Sequence, residues 1–279
     1  MKYSVEDLKK LIAETGGKLV FTEDVEFDDI PWCDVGENIV SITSEWNITS
    51  RGYISSKGNI WSEGNIWSEG NITSEGNITS GGYIWSEGNI TSEGNIWSGG
   101  YITSEGYITS EGNIWSKGNI WSEGNIWSKG YITSEGNITS KGNITSEGNI
   151  TSEGNIWSKG YITSGGNITS EGNITSEGNI WSKGYITSEG NITSKGNITS
   201  EGYIYWSHIS IPGFVKIKTK GIVPMPWQRE HWESRLGIDT NGECYDAIIE
   251  KIQPLIDGWL LLDKWLPIER LMIESWKKS

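Results

Sequence analysis

An isoleucine recurs every six residues from Ile42 to Ile204 without a gap, over 28 hexads. The unit reads Gly-Asn/Tyr-Ile-Thr/Trp-Ser-Glu/Lys. Gly keeps its place from Gly52 to Gly202 and Ser from Ser44 to Ser200, while the other three positions vary. Six is an even number, so strand alternation carries the same positions to the same side in every hexad. Ile, Ser and Gly share one side; Thr/Trp, Glu/Lys and Asn/Tyr share the other. The second side carries a charge in nearly every hexad, as at Glu63, Glu69, Lys117 and Lys129, and charges at that density are too costly to bury unpaired. Ile, Ser and Gly therefore point inward. A helix is excluded, because Gly every sixth residue would cost about 1 kcal/mol each relative to Ala and the apolar period is wrong.

A strand cannot run straight for so many residues, so the chain must coil, stacking Ile on Ile and Ser on Ser, with Gly where the backbone turns. Three hexads per coil give an 18-residue triangular coil and a rod about 45 Å long at the usual strand spacing. Two would give a flatter rod of twice that length, with a thin slab that Ile, Ser and Gly fill poorly. Three is the expectation. The predicted fold is mainly β: a single-stranded parallel β-helix, or β-solenoid, with an N-terminal helical cap and a C-terminal α-helical region.

Three segments follow: a cap over 1–39, the hexapeptide solenoid over 40–206, and a strand, loop and helical region over 207–279. Ser4-Val-Glu-Asp7 reads as a helix N-cap with acids in the first turn; Leu8, Leu11 and Ile12 share one face, and Gly16-Gly17 stops the helix. Lys18 to Phe27 alternates like a strand entering the solenoid, and Trp46 replaces the repeat Gly, as atypical terminal repeats do. Beyond Tyr205-Trp206, where the repeat breaks, Ile209 to Val223 is strand-like. From Tyr245 the pattern is helical, divided by Pro254 and Pro267, with apolar positions such as Ile248, Ile252, Trp259 and Leu266. These helices are expected to pack on the last coil or to form a homodimer interface.

GNITSE and GNIWSK units resemble hexapeptide-repeat β-helices, such as the left-handed β-helix acyltransferases. The strict Gly-x-Ile-x-Ser-x alternation is similar also to the bactofilins, polymer-forming bacterial cytoskeletal proteins. The acyltransferase resemblance implies a histidine on or near the coils, and residues 40–205 contain none. The bactofilin resemblance implies short flexible tails and free coil ends, whereas this chain has structured-looking ends. Handedness stays open.

The net charge is −14, which argues against nucleic acid and an anionic membrane surface as partners. Cys33 and Cys244 form no CxxC pair or disulfide framework, and the N-terminus lacks the apolar core of a signal peptide. A reducing, cytoplasmic setting of prokaryotic or viral origin is the expectation. The many Asn-Ile-Thr triplets are read as a by-product of the repeat.

No catalytic, cofactor-binding or metal-binding residue is predicted. The two histidines, His208 and His231, have no spaced ligand set, and no phosphate loop, nucleophile elbow or HExxH occurs. The outward aromatics are the candidate contact surface: Trp61, Trp67, Trp85, Trp97, Trp115, Trp121, Trp127, Trp157 and Trp181, with Tyr101, Tyr107, Tyr131, Tyr161 and Tyr185 among the tyrosines. Exposed Trp marks contact surfaces; alternatively the rings cover one another in ladders between coils. Dealt cyclically to three sides, they leave no single Trp-rich face.

The expected function is a non-catalytic structural or scaffolding solenoid that contacts a protein partner or itself. A carbohydrate-binding module stacking sugars on Trp and Tyr is the first alternative. An acidic DNA mimic inhibiting a DNA-binding enzyme is the second, although 16 Glu against eight Lys or Arg at the charged position is a modest excess. An ice-binding Thr ladder comes after these, because Trp interrupts it on every side. Residues Trp127 to Gly148 and Trp181 to Gly202 are identical, a shift of nine hexads that points to duplication.

Overall fold

A computed structural model describes residues 1–27, 39, 41–206, 208–210, 217–219 and 221–224. The cysteines, His231 and the C-terminal helices expected from Tyr245 onward lie outside these residues.

The hexads form a parallel β-solenoid with three hexads per coil. Each contributes a short strand, such as Ile84–Ser86, and successive strands pass to a new sheet. Three parallel sheets of 12, 12 and 10 strands result. Between hexads, pairing is strictly between residues 18 apart: Ile84 lies between Ile66 and Ile102, and Ser86 between Ser68 and Ser104. The first sheet contains Ile66–Ser68 and Ile84–Ser86, the second Ile60–Ser62 and Ile78–Ser80, and the third Ile72–Ser74 and Ile90–Ser92.

The inside–outside assignment holds. Every repeat isoleucine from Ile42 to Ile204 is at most 1% exposed, and the inward serines from Ser44 to Ser200 at most 3%. An isoleucine column thus runs the length of each sheet, each side chain contributing about 2–3 kcal/mol by leaving water. The buried serines are satisfied by a corner clamp. Ser140 Oγ donates to the carbonyl of Gly124 in the preceding coil (2.7 Å) and accepts from the N–H of Gly142 (3.0 Å). Gly142 N–H also reaches the Gly124 carbonyl (3.2 Å).

Glycine stands at the corners, mostly half-buried rather than fully inside, and its role differs from the expected turn. No repeat Gly has a positive φ; among the described residues only Gly16 and Gly17 do. The need is for close approach between coils. A Cβ on Gly64 would lie 2.6 Å from Asn47 Oδ1, and one on Gly124 would lie 2.6 Å from Tyr107 Cδ1. Most corner glycines make room for the Asn or Tyr side chain of the coil before them, and others, such as Gly70 and Gly118, for its backbone. The asparagines use that room: Asn137 Oδ1 accepts from the N–H of Asn155 one coil on (2.7 Å), and Asn155 Oδ1 accepts from Asn173 (2.8 Å). This side-chain ladder escaped the sequence reading, which took the Asn-Ile-Thr triplets for a by-product.

At the N-terminus, helix α1 (Val5–Thr15) begins with the expected N-cap at Ser4, which forms a reciprocal capping box with Asp7, and ends at Gly16 in the left-handed region (φ 64°). Its Leu8 is fully buried in the core, with Leu11 and Ile12 packed against it. Lys18 to Phe27 makes two strands rather than one. Lys18–Phe21 pairs with Ser41–Ser44, and Val25–Phe27 with Ile48–Ser50. Here Phe21 and Phe27 occupy the register positions of Ser44 and Ser50, and with Tyr3 they form an aromatic cluster (centroids 5.2–6.5 Å). Large rings fill the core here, and Lys2–Tyr3 adds a strand beyond Val25–Phe27, with Tyr3 in register with Phe27. Asp24 heads the asparagine ladder, its Oδ1 accepting from the N–H and Nδ2 of Asn47.

At the other end, the described parts of the strand-like Ile209 to Val223 region are strands added beyond Trp206. His208–Ser210, Ile217–Lys218 and Gly221–Pro224 each pair in parallel with the coil below, placing Ile209 on Ile192, Ile217 on Ile198 and Ile222 on Ile204. No helix among the described residues is long and apolar enough to cross a membrane.

Candidate interaction surface

The rigid interior leaves three outward columns to each sheet and corner: Thr/Trp on the flat of a strand, Asn/Tyr just before it, and Glu/Lys just after it. Of the nine repeat tryptophans, Trp67, Trp85, Trp121 and Trp157 lie on the first sheet, Trp61, Trp97 and Trp115 on the second, and Trp127 and Trp181 on the third. All are half-buried except Trp97, which is exposed. Tyr101, Tyr107, Tyr131, Tyr161 and Tyr185, at the corners, are 44–54% exposed.

Some of these rings cover one another. Trp67 stacks on Trp85 (centroids 5.3 Å, planes 4° apart), Trp97 on Trp115 (5.2 Å, 7°) and Tyr83 on Tyr101 (4.9 Å, 3°). Parallel planes this close require offset face-to-face overlap, so each ring loses part of a face to its neighbour. Others stand alone. Trp61, Trp121, Trp127, Trp157 and Trp181 each pair in register with Thr in the adjoining coils, and the Lys141 ammonium lies 5.7 Å from the Trp121 ring. The ring-on-ring ladder is thus realised at some places, while other rings have no stacked neighbour.

Tyr185 also stacks on Tyr203 (6.3 Å, 16°) farther along the rod, whereas the first three pairs are neighbours. They surround the corner between the second and first sheets, where Gly81 and Gly99 replace the charged residue in two successive coils. A Cβ at Gly81 would fall on the Glu63 carbonyl oxygen, and one at Gly99 on that of Gly81. The corner backbone therefore sits too close to the coil beneath for any side chain. The sequence signal was the doublet Gly-Gly-Tyr at 81–83 and 99–101, whose meaning emerges once the coil length places the two doublets side by side.

Elsewhere the charged columns hold exposed cross-coil ion pairs, such as Lys195–Glu177 (3.3 Å) and Lys129–Glu111 (3.7 Å). Exposed pairs of this kind contribute at most about 1 kcal/mol each; they relieve the stacking of Glu on Glu. Among the described residues no group of His, Cys, Asp or Glu is arranged to hold a metal ion. No family model, curated protein or solved structure matches this chain.

Proposed function

We propose that the protein is a non-catalytic structural or scaffolding solenoid that works through contact with a protein partner or with itself. The carrying observation is where the repeat varies. Inward Ile and Ser and the corner Gly are nearly constant over about nine coils, while the variable positions are all outward. A rod with a hydrogen-bonded interior and its differences confined to the surface suits display and contact. The resemblance to left-handed hexapeptide β-helices and bactofilins rests on the hexad, and a cytoplasmic setting fits the acidic composition. Light scattering and negative-stain imaging across a concentration range test the proposal. Discrete rods or defined oligomers that capture a protein in cell extract support it, whereas turnover of a small-molecule substrate by the pure chain refutes it.

Carbohydrate binding is the second reading. Its support is the set of isolated tyrosines: Tyr107, Tyr131 and Tyr161 are 52–54% exposed, with Asn in the adjoining coils. Such rings offer more free face to a sugar than the stacked pairs do. Retention on immobilised glycans that is lost on Tyr131→Asn would favour this reading.

A further inference from the structure

We infer that two copies of this chain associate side by side and antiparallel through the corner around Gly81 and Gly99. This rests on the contact-scaffold reading and names its partner and surface. A chain of charge −14 repels its own copy, so the approach must use a place without charge. Among the described residues this corner is the only one at which two successive coils lack the charged residue, and stacked aromatics flank it on both sides.

The order of residues along the corner selects a second copy as the occupant. From coil to coil the charged column reads Glu63, Gly81, Gly99, Lys117. A two-fold axis perpendicular to the rods, passing between the coils of Gly81 and Gly99, reverses that order in the partner. Each Glu63 then faces the partner's Lys117, and the glycine corners face each other. The same axis keeps each flank against the like flank of the partner, as an isologous interface requires.

The other columns obey the same symmetry. The corner column Asn65, Tyr83, Tyr101, Asn119 reads alike in both directions. On the second sheet the column is Trp61, Thr79, Trp97, Trp115. Reversal sets Trp61 opposite Trp115 and the small Thr79 opposite the exposed Trp97. On the first sheet the column is Trp67, Trp85, Thr103, Trp121, so Trp85 meets Thr103 in the same large-to-small fashion. A parallel dimer would instead oppose Glu63 to Glu63 and Lys117 to Lys117. The complementarity ends after four coils, where Glu45 would face Glu135.

The test is sedimentation velocity of the full chain over a concentration series, with Glu63→Lys, Lys117→Glu and the double variant. Both residues sit at a position where the repeat uses Glu and Lys interchangeably, so the fold tolerates either. Each single variant is expected to weaken the dimer about tenfold or more, since like charges then meet at two symmetry-related places, and the double variant should restore it. Circular dichroism should be the same for all three. Tyr101→Asn with Trp97→Thr, both drawn from the repeat's own residues, should also abolish the dimer. A monomer at all concentrations, or a dimer indifferent to the single variants, overturns the inference while the scaffold reading stands. Failure of that reading would show separately, as substrate turnover by the monomer.

Discussion

The corner clamp predicts what one buried hydroxyl contributes. In Ser140→Ala the Gly124 carbonyl loses a 2.7 Å donor and the Gly142 N–H loses a 3.0 Å acceptor. Net values of about 0.5–1.5 kcal/mol per hydrogen bond put the upper bound near 3 kcal/mol. The Gly142 N–H and Gly124 carbonyl remain bonded to each other at 3.2 Å, so neither is orphaned and the expected loss is about 1–2 kcal/mol. Because a solenoid is close to a one-dimensional array of coupled units, that loss falls on a few adjoining coils. The assay is urea unfolding followed by circular dichroism, with Lys159→Ala, at an exposed position, as the surface control. The unfolding midpoint should drop for Ser140→Ala and barely move for the control. An unchanged or raised midpoint for Ser140→Ala would show that the inward serines merely fill space.

Ile138→Ala, at a fully buried position in the same strand, should cost about 2–5 kcal/mol through lost burial and a residual cavity, exceeding Ser140→Ala in the same unfolding assay. Gly154→Ala should destabilise by about 1–3 kcal/mol as an overpacking change, because its Cβ would lie 2.5 Å from Asn137 Oδ1 and 3.0 Å from Gly136 C; a neutral result would show that the coils separate easily. At the cap, hydrogen bonds from the Ser4 hydroxyl and N–H hold the Asp7 carboxyl below its usual range. A depressed folded-state value contributes stability that is present above the ordinary carboxylate range and is lost as pH falls through the folded value. Carboxyl NMR should accordingly show Asp7 titrating below the ordinary aspartate value, with helix amides exchanging faster once it is protonated; an ordinary midpoint would remove the capping box as a contributor.

Much of this fold could be read from the isoleucines. Charge on alternate positions identified the inner side, and the poor filling of a two-hexad slab selected three sides. Helix α1 was legible because Ser4, Asp7, Leu8 and Gly16 each act within one or two turns of chain. What escaped were features that depend on residues 18 apart. The glycines were expected to serve the turn, yet they serve the neighbouring coil, as Gly64 does for Asn47. Asn137 and Asn155 look like ordinary polar residues until the coil length sets one above the other. The aromatic corner was hidden for the same reason: Trp67, Tyr83 and Trp97 are scattered along the chain and gather only when it is wound. Phe21 and Phe27 were read simply as members of an alternating strand, although replacing Ser with Phe is how the core is closed.

The strict 18-residue register also bears on how such a gene changes length. The identical blocks Trp127–Gly148 and Trp181–Gly202 are offset by nine hexads, which is three whole coils. Trp127 and Trp181 therefore stand in one column of the third sheet, and the copied surface reappears on the same side, displaced along the rod. Gain or loss of whole coils by slippage leaves every downstream side chain pointing in its former direction and alters only the distance between the two ends. Gain or loss of a single hexad keeps the interior equally well packed but turns all that follows by one face. One class of event adjusts a ruler; the other reassigns what each side of it presents.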